Sequence, residues 1–359
     1  MRKILVVVGT DSEAIRAAPL IRCLRAIPSM QTVVCIAAQD SQLLAGELAS
    51  FGFLVDEDLE LTRQTVNADF APGVDRVIGK HKPDYVLVYG NASTLMASFS
   101  RYASFGNLRS GLCMYELRHR SAEGSNLQVI DLTSTRYFVT SEISRDTLLE
   151  EGVAPENVFL TDSTEVDAAL LVIERIRNDE SLKTKLAADF PFLDPNMRMI
   201  LVSGQRSDKY EGRLESLCRA LKKLAARPDV QVIYTLSPDS RANEFVESEF
   251  ADHPNVTLVP HQDYLHSVYL MLTAYFIVAN PGDIPKEALA LCKPVLEMPD
   301  VSGRTNAGAG NRVERDVDRI LQECILLLEV PAYYNTFSVP RNPYGDGHAS
   351  QRIVETLLR

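Results

Sequence analysis

The side chains able to do chemistry in this chain collect just past its short apolar runs. Gly9-Thr10-Asp11-Ser12-Glu13 follows the run at 4–8. Such a strand-to-helix turn leaves backbone N–H groups free to meet a phosphate, with Asp11 or Ser12 available to cap the helix. It has neither a GxGxxG pattern nor a P-loop lysine, so dinucleotide binding is not indicated. On this motif alone an ordinary turn is the plainer reading. Arg118-His119-Arg120 sets an imidazole between two cations, either an acid or base or an exposed loop histidine. Asp239 and Ser240 follow a strand end, where ligand contact and solvation are both reasonable. His261 and His266 flank a helix start and read as surface or capping residues. Lys222-Lys223 reads as a solvated face. The stretch 308–311 shows no chemistry, and Asn342-Pro343-Tyr344-Gly345-Asp346-Gly347 reads as a tight turn. Six cysteines (Cys23, Cys35, Cys113, Cys218, Cys292 and Cys324) have no CxxC spacing. They read as reduced core residues, and no metal is expected.

These positions need elements to hold them. Strand-like runs lie at 4–8, 33–37, 85–89, 137–139 and 158–160, and again at 199–202, 230–234, 256–259, 275–279 and 294–298. Helical segments intervene: one after residue 12, then 41–51, 66–81, one from about 166, 213–226, 264–273, one beginning near 284, and about 347–358. Continuous apolar strands separated by helices predict parallel sheets covered on both faces. Phe190-Pro191-Phe192-Leu193-Asp194-Pro195 breaks the alternation and reads as a linker. The expected class is α/β, with two doubly wound halves. Ligands of such sheets bind beyond the carboxyl ends of the strands, so a cleft between the halves is the expected site.

Composition narrows the partners. With 359 residues, 46% hydrophobic and 24% charged, the chain is ordinary globular material of two-domain size. A net charge of −11 lacks the basic footprint of a nucleic-acid binder. No apolar run approaches the ~20 residues that span a bilayer, and the first residues do not read as a secretory leader. No nucleic-acid or membrane partner is expected, and the expected location is cytoplasmic.

Taken in order, the motifs resemble the non-hydrolysing UDP-N-acetylglucosamine 2-epimerase family. Gly9-Thr10-Asp11-Ser12-Glu13-Ala14-Ile15-Arg16 is similar to GTRPEAIK, and Ala38-Gln39 to AQH. Lys82-Pro83-Asp84 through Tyr89-Gly90-Asn91 is similar to KPDxVLVHGD. Asp194-Pro195 and residues 200–206 are similar to DPxxxMILVTGHR. Lys293-Pro294-Val295-Leu296-Glu297-Met298 is similar to GKPVLxM, and 342–347 matches NPYGDG in full. The resemblance spans nearly the whole chain. It implies two Rossmann-like domains in a glycosyltransferase-B arrangement with an interdomain cleft: 1–190, joined by a C-terminal helix at about 347–359, and 191–346. It further implies a homodimer, no cofactor, and a UDP-sugar ligand. The implied reaction removes the proton beside the acetamido group, expels UDP to leave a glucal, and re-adds it after reprotonation on the other face. That takes acid and base groups and stabilisation of the departing diphosphate.

The implied site is heavily substituted. Asp11 stands for the arginine of GTRPE, Asn91 for the aspartate of VHGD, and Gln205 for the histidine of TGHR, with Arg206 retained. The glutamate of HVEAGLR falls on Met114, with Glu116 two residues on. Glu123 and Asn126 are loose counterparts of a second glutamate loop. On the nucleotide side Pro281 replaces a serine in the DSGGxQEE turn and Asp283 adds a charge. Glu287 matches the ribose-binding glutamate, and Arg304 the arginine of ERPE. The resemblance thus assigns the family's catalytic positions to Asn91, Met114, Glu116, Glu123 and Gln205. Its ligand positions are Gly9, Asp11, Arg16, Gln39, Arg206, Asn280, Gly282, Glu287 and Arg304. The expectation is a catalytically impaired or repurposed relative in nucleotide-sugar or surface-polysaccharide metabolism. The alternatives are an active isomerase with a rearranged base set drawn from Glu116, Glu123 or His119, and a glycosyltransferase-like subunit.

Overall fold

The structure, a computed structural model, describes residues 1–38, 41–61, 66–89, 111–115, 135–203, 211–237, 242–279, 286–297, 311–312, 317–338 and 344–359. The strands are β1 Arg2–Val8, β2 Met30–Ile36, β3 Glu57–Asp58, β4 Tyr85–Tyr89, β5 Gly111–Tyr115, β6 Arg136–Val139, β7 Val158–Leu160, β8 Arg198–Ser203, β9 Val230–Thr235, β10 Val256–Val259, β11 Phe276–Ala279, β12 Val295–Glu297 and β13 Asn311–Arg312. The helices are α1 Asp11–Arg25, α2 Ser41–Ser50, α3 Val66–His81, α4 Glu142–Glu150, α5 Thr164–Asn178, α6 Glu180–Asp189, α7 Glu211–Ala225, α8 Ala242–Phe250, α9 Tyr264–Thr273, α10 Lys286–Ala290, α11 Val317–Glu329, α12 Pro331–Phe337 and α13 Ala349–Leu358.

The strands form two sheets, ordered β3-β2-β1-β4-β5-β6-β7 and β10-β9-β8-β11-β12-β13. Neighbouring strands pair in parallel in both. These are Rossmann-like orders, in which the chain winds outward from one central strand and then reverses. The apolar strands show why. Leu5 and Val7 pack in a core with Val33, Cys35, Val86 and Val88. Ile4, Val6 and Val8 pack in another with Val34, Ile36 and Leu87. A strand whose alternate residues enter two different cores must be covered on both faces.

The chain forms two compact units: Met1–Ala168 with Tyr344–Arg359, and Ala169–Pro343. In the first, the turn before α13 is fastened to the loop after β7. Ser163 N–H donates to Tyr344 O at 2.8 Å. Arg352 reaches Asp346 with both guanidinium nitrogens, at 2.9 and 2.6 Å, and Asp162 at 2.7 Å. It holds the Asp346 carboxyl down at about 2. Asp167 accepts from the Ala349 and Ser350 N–H groups, so a carboxylate of α5 caps the first turn of α13. At the other end, Arg2 and Arg136 donate to the carbonyls of Leu357 and Thr356. Gly345 has φ +128, and a Cβ there would meet Asp162 Cβ at 2.4 Å.

The proline-rich break lies inside the second unit. Phe190 is buried and stacks on Tyr269 of α9 with centroids 5.8 Å apart. The Gln231 amide exchanges hydrogen bonds with the Asp194 backbone, at 3.2 and 2.8 Å. Prolines end α6 here, but aromatic packing and a buried amide tie the segment down. Next to Phe190, His266 bonds Asp263 at 2.7 Å and Asp189 at 3.1 Å. Burial opposes the charged ring, yet the two carboxylates outweigh it and raise its pKa above 6.5.

Gly345→Ala should cost ~1–3 kcal/mol, since it imposes both a strained φ and a clash. Gly46→Ala, in α2 with open space around it, should instead add ~0.5–1 kcal/mol. Urea melts of the two variants read both signs. The His266 pKa is higher folded than unfolded, so its contribution is full below about 6.5 and is lost as pH rises through the folded value. The melting temperature should decline more steeply from pH 6 to 8.5 in wild type than in His266→Gln.

Candidate functional site

In both sheets the winding reverses beside a central strand, between β1 and β4 in the first and between β8 and β11 in the second. Ligands of open α/β sheets bind outside the carboxyl ends at such points. In the first unit the turn after β1 is fully visible. Its N-cap is Thr10, not Asp11 or Ser12 as the sequence suggested: Thr10 is extended (φ −143, ψ 160), and its hydroxyl accepts from Glu13 N–H at 3.3 Å. The cap must be the last extended residue, and helical geometry already begins at Asp11. Glu13 answers by reaching back. Its Oε2 accepts from Gly9 N–H at 2.7 Å. The pair resembles a capping box displaced by one residue, since the side chain takes the N–H before the N-cap.

This turn is tightly built. A Cβ on Gly9 would sit 3.3 Å from Ala37 O and 3.4 Å from Glu13 Oε2. Asp11, half-buried, is the first helical residue, and with Glu13 it makes the first turn acidic. Glu13 is 0% exposed. Burial pushes its carboxyl up to about 7, against the Gly9 N–H bond and the charge of Arg16.

Arg16 is 1% exposed. Its Nε donates to Ser12 O at 3.0 Å and Nη2 to Ser12 Oγ at 3.0 Å. Glu165 of α5 lies 3.8 Å from Nε, and the guanidinium lies 5.8 Å from the Tyr89 ring centroid, at the end of β4. The arginine is therefore enclosed by α1, β4 and α5, and its charge is met inside the protein.

The remaining expected positions divide. Met114 is the penultimate residue of β5, in register with Val88 and Tyr137. Glu287 is the second residue of α10 and half-buried. Gln39, Asn91, Glu116, Glu123, Gln205, Arg206, Asn280, Gly282 and Arg304 lie outside the described residues, as do His119, Asp239 and Ser240. In sequence, Asn91, Glu116, Gln205 and Asn280 follow within two residues of the ends of β4, β5, β8 and β11. Glu13, Tyr89 and Glu165 were given no role from sequence, and Ser12 only that of a possible cap. The Thr10-x-x-Glu13 spacing is the signal that could have found the first. Nothing local in sequence marks Glu165 as the partner of Arg16. Glu297, 1% exposed at the end of β12, was likewise not singled out.

Among the described residues, no group of three or more His, Cys, Asp or Glu side chains could hold a metal ion. Cys23, Cys35, Cys218, Cys292 and Cys324 are free thiols. Burial pushes Cys35 and Cys218 up to about 12, which keeps them unreactive. No helix among the described residues is long and apolar enough to cross a membrane.

Comparison with known proteins agrees with this architecture. The family pattern described as UDP-N-acetylglucosamine 2-epimerase matches residues 22–358. The UDP-N-acetylglucosamine 2-epimerase of Escherichia coli (strain K12) is 34% identical, covering 99% of this chain and 98% of that protein. The enzyme of the same name from Yersinia pestis is also 34% identical over the same shares. A crystal structure of UDP-GlcNAc 2-epimerase from Neisseria meningitidis bound to UDP-GlcNAc superposes with TM-score 0.86 at 29% identity, covering 99% of each chain. With its two Rossmann-like sheets and a match along nearly its whole length, the chain belongs to the UDP-N-acetylglucosamine 2-epimerase family.

Proposed function

We propose that this chain is a UDP-N-acetylglucosamine 2-epimerase-like protein that binds a UDP-sugar at the carboxyl ends of its strands but is impaired in, or repurposed from, epimerisation. The observation that carries this reading is the charge at the first turn of α1. Two carboxyls, Asp11 and Glu13, occupy it, and Arg16 is turned inward to Ser12 and Glu165. A departing diphosphate needs cations and N–H groups there. At ~4 Å and an effective dielectric of ~20, exchanging attraction for repulsion is worth several kcal/mol.

The proton-transfer side supports the same reading. Met114 near the end of β5 can neither give nor take a proton, and the amides Asn91 and Gln205 stand where the family pattern has an acid and an imidazole. The ligand half is better kept, with Glu287 and Arg304 matching the family pattern. The solved relative from Neisseria meningitidis is bound to UDP-GlcNAc, which is why a UDP-sugar is the first ligand to test. A homodimer, a cytoplasmic location and a role in polysaccharide metabolism accompany this proposal on the family resemblance.

The test is direct. Pure protein incubated with UDP-N-acetylglucosamine should give no UDP-N-acetylmannosamine by proton NMR, whereas turnover of ~1 per second or faster overturns the impairment. The same ligand should raise the melting temperature, by an amount equivalent to ~2.7 kcal/mol at a hundredfold excess over Kd. Asp11→Arg should tighten UDP binding about tenfold by calorimetry without restoring epimerisation. The helix keeps its Thr10 cap in this variant, so a change in affinity reports the charge at the turn.

A further inference from the structure

We propose that Glu13 is a positioning residue for ligand binding: its carboxyl latches the Gly9 amide, fixing the turn of residues 9–11 on which a diphosphate docks, and its ionisation weakens that docking. This rests on the proposed ligand site above.

Four observations carry it. Glu13 is 0% exposed although it is ionisable. One of its oxygens accepts from Gly9 N–H at 2.7 Å. The other, Oε1, is buried and finds no hydrogen-bond partner among the described residues. Finally, the turn it latches leaves little room, since a Cβ on Gly9 would come within 3.3 Å of Ala37 O and 3.4 Å of this carboxyl. An acid in such a place holds the backbone as a neutral group at little electrostatic cost. As an anion it leaves a charge with one unmatched oxygen, which is costly in a buried site.

The surrounding charges point the same way. On α1 the neighbours are Asp11, which adds negative charge, and Arg16, which opposes it. From α5, Glu165 faces Arg16 at 3.8 Å and draws on the same cation, while Tyr89 from β4 presents its ring. One arginine therefore serves two carboxylates. The burial that raises the Glu13 pKa to about 7 puts the change of charge within the working pH range. Above it, a second negative charge stands beside Asp11 where the diphosphate arrives.

The experiment uses the full chain and UDP-N-acetylglucosamine, whose diphosphate diester keeps a constant charge from pH 6 to 8.5. Calorimetric Kd values are measured across that range for wild type, Glu13→Gln and Glu13→Ala, together with the hydrogen-exchange protection factor of the Gly9 amide. The glutamine keeps an acceptor for Gly9 and cannot ionise. Wild-type affinity should fall by about tenfold or more between pH 6 and 8.5. Glu13→Gln should bind as wild type does at pH 6 and stay flat. Glu13→Ala should bind weakly throughout, with Gly9 unprotected. A Glu13→Gln profile that tracks wild type, or Glu13→Ala affinity equal to wild type, overturns the proposal. If wild type binds no UDP-N-acetylglucosamine at any pH, the ligand reading fails and the docking role of Glu13 fails with it. Gly9 protection then tells whether the latch itself exists: protection present in wild type and Glu13→Gln and lost in Glu13→Ala marks a latch serving the fold alone.

Discussion

A parallel strand can pair with its neighbour only if the chain first travels back along a face of the sheet. Both sheets here are built from such pairs, so every connection must cross over, mostly as a helix. Each crossover begins at a carboxyl end and delivers its loop there. The apolar strands and the helices that bury their two faces follow from this, and so does the place where chemistry can be done. Reversal of the winding beside β1 and β8 marks the place in each sheet where such folds bind ligands, and Asn91, Gln205 and Asn280 follow the strand ends there in sequence.

Within that frame, buried polar contacts do what apolar packing cannot. Packing holds α1 against the sheet but does not choose where the helix starts. Thr10 and Glu13 choose it by exchanging hydrogen bonds with the backbone on either side of the cap. Asp167 and Arg352 do the same for α13, one by capping it and the other by gripping the preceding turn. Arg16 is a further case, in which a cation on α1 is enclosed by its own helix, β4 and α5. Where the partner is buried, as with Glu13, Arg16 and Asp167, the contact is costly to break, because removing one side leaves the other without a match.

Much of the fold was legible in the sequence because parallel strands are continuous apolar runs. The run at 85–89 appears as β4 unchanged, and 66–81 as α3. What escaped was of other kinds. β3 and β13 have two residues each, too few to show a period. β5 reads Gly-Leu-Cys-Met-Tyr and is held by β4 and β6 rather than by its own composition. α11 carries Ile320, Cys324, Leu327 and Leu328 on one buried face, a readable pattern that went unused. At the site, residues 9–13 were read as a strand-to-helix turn, but the cap was placed at Asp11 or Ser12, one or two residues late. Glu13 and Glu165 act through burial and through partners distant in sequence, which no local spacing reveals. Within the expected turn at 342–347, the described residues 344–347 do turn, for a reason the sequence hides: Gly345 gives its backbone room against Asp162, nearly two hundred residues away.

The return of α13 to the first unit also sets an order of events during synthesis. Residues 1–168 emerge first, yet their unit lacks α13 until residues 349–358 have also been made. Until then, the α1 surface that α13 covers, with Leu20, Ile21 and Leu24 in the core it shares with Ile353 and Leu357, lacks its partner. Asp167 meanwhile waits for the two N–H groups it caps. The second unit, encoded between the two pieces, has its whole sequence before the first can close. A delay between the two pieces, and sensitivity of the first unit to loss of α13, are therefore built into the topology.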